Sequence, residues 1–213
     1  MNHSQLIEFL STDVPRVPPH ALGRRVGFGI VAGGLVTLSL VVSVLGVRPD
    51  LQAAAHGLPF WIKWTYTIAL GSGAVHMVLR LARPNPTSLD GLWPLLLPVL
   101  LLAGVGAGEL SRTPSDQWLT LWLGGSWVMC PWLVLTLAAP IFAGLLWSFR
   151  KLAPTRLPAA GAAAGLAAGA WAAMLYCLHC PEASALFVLT WYSLGIVLAA
   201  GVGALLGPRW LRW

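Results

Sequence analysis

The residues best suited to chemistry crowd into one short stretch. Cys177, His179, Cys180, Pro181 and Glu182 stand together in the run YCLHCPE, and Cys130, followed by Pro131, lies upstream. These are the chain's three cysteines, too few for a disulfide scaffold but enough for one pair and a spare. Several chemistries are open to them. Cys130 and Cys180 can close a disulfide. Thiolates with an imidazole can hold Zn²⁺ or a softer ion, with Cys130, Cys180 and His179 as the ligand set and Cys177 in reserve. Cys177 and Cys180 also have the CxxC spacing of a dithiol redox protein. The plain alternative is that all three are small buried residues in an apolar interior, where free cysteine is common.

Other chemistry is scarce. The chain has no GxxxxGK(S/T), HExxH or GxSxG motif and no GxGxxG ahead of a helix. Glu109, His76 and His56 are isolated ionisable residues, none at ligand spacing from another. A transporter or proton relay keeps several acidic or histidine side chains in mid-span. The expectation is a protein that is not an enzyme, with a metal transporter or a thiol-redox protein using the same cysteines as the alternative.

The elements that must position these residues follow from composition. Of 213 residues 57% are hydrophobic and 9% charged, against about 25% charged in a soluble domain. So little charge cannot coat a soluble globule, and so high an apolar fraction excludes disorder. Six apolar segments, at 26–47, 58–79, 91–110, within 118–149 (best window 126–147), 158–178 and 183–206, are each long enough for about 30 Å of hydrocarbon. Backbone groups in lipid need partners within the segment, so the expected fold is all-α, a polytopic bundle of six transmembrane helices over residues 26–213. The first segment has no small-residue cleavage site close behind it and reads as a retained span.

The net charge of +6 in a soluble protein would raise nucleic-acid binding. Sorted by side, the 13 cations give a different reading. With the N-terminus inside, Arg16, Arg24, Arg25, Arg80, Arg83, Arg150, Lys151, Arg156, Arg209 and Arg212 are internal, and only Arg48, Lys63 and Arg112 are external. That bias puts both termini in the cytoplasm and the cysteines at or near the outer face. Trp61, Trp64, Trp118, Trp122 and Trp127 read as anchors at the outer interface, and Trp147, Trp210 and Trp213 at the inner one. Lys63, between two of these tryptophans, is expected to snorkel toward the outer headgroups. Gly161, Gly165 and Gly169, with Gly203 and Gly207, mark faces for close helix packing within the chain.

Residues 1–25 form a cytoplasmic tail. Leu6, Phe9 and Leu10 fall on one face of a short amphipathic helix, and Pro15, Pro18 and Pro19 stop it.

The run YCLHCPEASALFVLTWYSLGI, the closing GALLGPRWLRW, the SWxxC of Ser126, Trp127 and Cys130, and the stretches LAAPIFAGLLW, AGAAAGLAAGAWAAMLY, LGVRPDL and QLIEFLSTDVPRV resemble the NrsF-like family of bacterial integral-membrane anti-sigma factors. The resemblance covers essentially the whole chain. It implies a multi-pass protein of the bacterial inner membrane that sequesters an extracytoplasmic-function (ECF) sigma factor and releases it on metal or oxidative stress. It implicates the pair matching Cys130 and Cys180 in sensing. Cys177, one helical turn before Cys180, is not matched to that pair. Leu6, Phe9 and Leu10 would then bind the sigma factor, as a helix in a groove or, failing that, lie on the inner leaflet. The implied partners are the sigma factor and membrane lipid, with homo-oligomers open and no direct nucleic-acid binding. No cofactor is expected beyond a transient heavy-metal ion at Cys130 and Cys180.

Overall fold

A computed structural model describes residues 21–82, 93–149 and 154–211. Among them every regular element is helical. The long helices are α1 (Ala21–Leu45), α2 (Leu58–Leu81), α3 (Trp93–Arg112), α4 (Cys130–Phe149), α5 (Leu157–Tyr176) and α6 (Ala185–Trp210). Local chemistry sets their ends. Proline stands in the first turn of α2 and of α5, where a missing N–H costs nothing. α1 closes with a π turn, Val41–Leu45, and stops at Gly46, whose φ of 79° suits a residue without Cβ.

The long fourth segment is divided. A short helix, Trp118–Leu123, runs into Gly124, whose φ of 56° no helix can continue, and α4 begins only at Cys130. Among the described residues five helices, α1 and α3 to α6, are long and apolar enough to cross a bilayer. The remaining expected span is α2. It has 24 residues, or about 36 Å of helix. It carries Lys63, His76 and Arg80, however, and falls short of the other five in hydropathy. The tail stripe of Leu6, Phe9 and Leu10 lies outside the described residues.

α5 is the centre of the bundle. It packs on α2, α4 and α6, and 67% of its apolar window is buried, the largest share of the five. Its alanines and glycines make this possible. A Cβ added at Gly161 would run into the carbonyl of Gly203, one at Gly203 into the carbonyl of Gly161, and one at Gly165 into the carbonyl of Ala199. The α5 and α6 backbones are therefore in contact, which is the intramolecular packing expected of the glycine repeats. α1 and α4 meet in the same way, Gly29 against Gly144 and Gly33 against Ile141. Two hydroxyls bond across that crossing: Thr37 Oγ1 donates to the Leu137 carbonyl at 3.0 Å and Ser148 Oγ to the Arg25 carbonyl at 2.9 Å. The ends of α1, α3 and α5 and the starts of α2, α4 and α6 gather at one end of the bundle, and all three cysteines are there.

Candidate functional site

Cys177 terminates α5, its N–H reaching the Ala173 carbonyl at 3.1 Å and its thiol the same carbonyl at 3.2 Å. The chain then turns through 177–184 into α6, with the Cys180 N–H on the Tyr176 carbonyl at 3.0 Å. Cys130 arrives from the other side, opening α4 with its N–H on the Ser126 carbonyl at 2.9 Å. All three are free thiols and fully buried. They lie within electrostatic range of one another, of Lys63 and of Tyr192. Sequence reading placed the three thiols at one end of the bundle; the fold brings them into one neighbourhood.

The loop that carries Cys180 is held from four directions. From beyond α1, the Arg48 N–H donates to the Leu178 carbonyl at 3.0 Å and Arg48 Nη1 to the Cys180 carbonyl at 3.2 Å. The carbonyl of Gly46 accepts from His179 Nδ1 at 2.9 Å; because a carbonyl only accepts, Nδ1 carries a proton. From α2, Lys63 Nζ donates to the carbonyls of Cys180 at 3.1 Å and Glu182 at 2.8 Å. From α3, Glu109 Oε2 accepts from Ala185 N–H at 2.8 Å and Ser184 Oγ at 3.1 Å, satisfying donors at the start of α6. From the turn before α4, the Gly125 N–H donates to Glu182 Oε1 at 2.8 Å, and Ser126 Oγ reaches the same oxygen at 3.4 Å. Gly124 is favoured by its positive φ, and an added Cβ there would also stand 2.6 Å from Glu182 Oε2 and push that carboxylate aside.

Aromatic rings floor the site. Tyr192 lies 5.3 Å beneath the Lys63 ammonium and 5.6 Å from Tyr176, which faces His179 at 5.7 Å. The Tyr192 hydroxyl is buried without a hydrogen-bond partner, an unmet polar group among the thiols.

Electrostatics reinforce the clamp at its rim. Arg48 grips Asp50 in a two-pronged pair at 2.7 and 2.6 Å. That hydrogen bond, with the guanidinium's charge, holds the exposed Asp50 carboxyl below its ordinary range and raises Arg48 above its own.

The expected residues fare differently. Cys130, Cys177 and Cys180 come together. His179 shares their loop, but its ring is bonded to Gly46, and among the described residues no three His, Cys, Asp or Glu side chains are grouped as a metal ion requires. Lys63 does not snorkel. It is 2% exposed, because two loop carbonyls satisfy its ammonium within the bundle and make headgroup contact unnecessary.

Arg48, Lys63, Glu109 and Tyr192 were not singled out for this site by the sequence. The available signal was the scarcity of charge: two of the three cations assigned to this end finish on one carbonyl, that of Cys180.

Comparison with known proteins accords with these features. The family model described as "Negative regulator of sigma F", NrsF, matches residues 10–213. A "Probable anti-sigma-F factor NrsF" of Azospira oryzae is 39% identical over 213 residues, covering all of both chains. An "Anti-sigma-F factor NrsF" of Caulobacter vibrioides is 38% identical over 215 residues, again covering both chains in full. No solved structure matches. With a family model spanning nearly the whole sequence and two full-length relatives, the chain belongs to the NrsF family.

Proposed function

We propose that this chain is a membrane-embedded anti-sigma factor. It holds an ECF-type sigma factor inactive at the bacterial inner membrane and releases it when the thiols at the outer end of the bundle are modified. The observation that carries the reading is the full-length similarity to two anti-sigma-F factors, 39% and 38% identical. The chain crosses the membrane six times, α2 included, with both termini inside. The cation distribution supports that orientation, and the burial of Lys63 against loop carbonyls supports the inclusion of α2, whose low hydropathy then has a local cause.

The tail carries the inhibitory surface. Leu6, Phe9 and Leu10 supply its apolar stripe, and a sigma-factor groove is the natural host for such a stripe. Cys130 and Cys180 are the sensing pair, and an oxidant or a thiophilic metal ion is the signal. Three thiols buried in one neighbourhood support this, because a bond between two of them would pull directly on the clamped loop. Such a ligand shifts the protein only by its difference in affinity for the two states.

Co-purification of the chain with the cell's sigma factors, with and without residues 1–25, tests the reading. One sigma factor should come down with the full chain and be lost from the truncated one. Retention by the truncated chain moves the inhibitory surface elsewhere, and no sigma factor with either chain sinks the reading. A sigma-dependent reporter in cells carrying Cys130→Ser with Cys180→Ser tests sensing: an undiminished response to diamide and to cadmium chloride refutes the assignment.

A further inference from the structure

The Lys63 ammonium is buried, and the one ion pair among the described residues is Arg48–Asp50, so no carboxylate answers it there. Its partners are the carbonyls of Cys180 and Glu182, two residues of the loop that carries the sensing thiol. A buried ammonium is tolerable only while its N–H groups are met. The loop therefore cannot carry these carbonyls away without either stripping Lys63 of its acceptors or taking Lys63 along.

The helices differ in what they can do in response. α5 and α6 are locked with backbone against backbone at Gly161, Gly165 and Gly203. At its two buried glycines α2 meets side chains first: an added Cβ at Gly71 would touch the ring of Trp171, and one at Gly73 the end of Leu95 at 2.9 Å, with the Pro94 carbonyl farther off at 3.6 Å. Side chains change rotamer and absorb a small shift, whereas touching backbones do not. From Lys63 to Leu81, α2 runs about 27 Å, nearly the thickness of the hydrocarbon core, to the opposite end of the bundle.

Resting on the anti-sigma reading above, we propose that Lys63 is the positioning residue that couples the sensor loop to α2. Displacement of the Cys180 and Glu182 carbonyls moves Lys63, and α2 delivers the movement to the inner face at Arg80 and Leu81.

The test uses the full-length chain with a sigma-dependent reporter, exposed to diamide, which takes up the two hydrogens released when two thiols join. Lys63→Met keeps length and volume and removes the donors; Lys63→Arg keeps them. Lys63→Met should leave the unstimulated reporter low and the thiols still oxidised by mass, yet cut the response about tenfold. Lys63→Arg should regain most of it. A second measurement needs no variant. In inside-out vesicles of the wild-type chain, diamide should change the rate of trypsin cleavage after Arg80 at least about fivefold.

Any of three results overturns the proposal: a Lys63→Met chain that responds normally or is active without stimulus, a Lys63→Arg chain as blind as Lys63→Met, or unchanged cleavage at Arg80. If Lys63→Met does not accumulate in membranes, the cleavage measurement decides alone. A wild-type chain that ignores diamide removes the sensing reading and this proposal together; a wild-type response that Lys63→Met retains removes only the proposal.

Discussion

Arg48 and Cys180 stand 132 residues apart, yet Nη1 of Arg48 donates to the Cys180 carbonyl at 3.2 Å. The same carbonyl accepts from Lys63, so one backbone oxygen of the cysteine loop joins the end of α1 to the start of α2. A loop tied to its neighbours through main-chain acceptors transmits displacement whatever its side chains become.

Arg48→Ala should weaken that tie. Its side chain is 10% exposed, and a charge-assisted hydrogen bond to a carbonyl contributes about 1.5–3 kcal/mol. Hydrogen exchange in detergent micelles should show faster exchange at 178–182, with α4 unaffected. Equal protection of the loop in both proteins would contradict the clamp.

Acid should loosen the same corner. Arg48 holds the Asp50 carboxyl below its ordinary range, so the stabilisation it brings is present above about pH 4 and is lost as pH falls through the lowered value. Melting temperature followed downward through that window should drop more for the wild type than for Asp50→Asn, which lacks the titrating group. Parallel curves would remove the pair from the account.

Glycine contacts should be intolerant where backbones touch and indifferent elsewhere. Gly203→Leu drives a side chain into the carbonyl of Gly161, whereas an added Cβ at Gly34 has nothing within 4 Å. The first should cost about 3 kcal/mol or more. Gly34→Ala should be neutral or slightly stabilising, since alanine is the better helix former. Thermal unfolding of both variants in one detergent checks the contrast.

Removing the Glu109 carboxylate should unpin α6. Its Oε2 accepts from Ala185 N–H and Ser184 Oγ, and donors left without a partner cost about 1–3 kcal/mol. Glu109→Ala should lower exchange protection across 185–192, while Glu109→Gln, which keeps a carbonyl oxygen, should lose less.

The three thiols should be silent to a water-soluble maleimide in the folded chain, since each is fully buried. All three should label once the protein is unfolded in SDS. Rapid labelling of any one in the native protein would place it at the surface.

Much of this molecule was legible before any fold was known, and the reason is its long, nearly uncharged apolar runs. In a bilayer every backbone polar group must be met within its own segment. Composition and run length therefore announced an all-helical bundle, and the glycine spacing announced where two helices would touch. The family was legible too, in the run around Cys177 to Ile196 and the closing GPRWLRW. The fourth run was read as holding its span within 126–147, close to the Cys130–Phe149 helix, but the exact point of division at Gly124 lies in its φ of 56°, which an apolar run does not mark. Lys63 was misread for a related reason: a lysine between tryptophans at a helix end has the same pattern whether it reaches for lipid or for a carbonyl.

The sequence by itself determined the class of structure, the end of the bundle that holds the cysteines and the family. Only the tertiary structure decided what surrounds them. It set Arg48, Lys63, Glu109 and Gly125 on one loop, left the Tyr192 hydroxyl without a partner, and bonded His179 to the Gly46 carbonyl. These are contacts between residues far apart in the chain, several of them made to main-chain carbonyls. Every residue carries such a carbonyl, so no residue type marks in advance which one will be chosen.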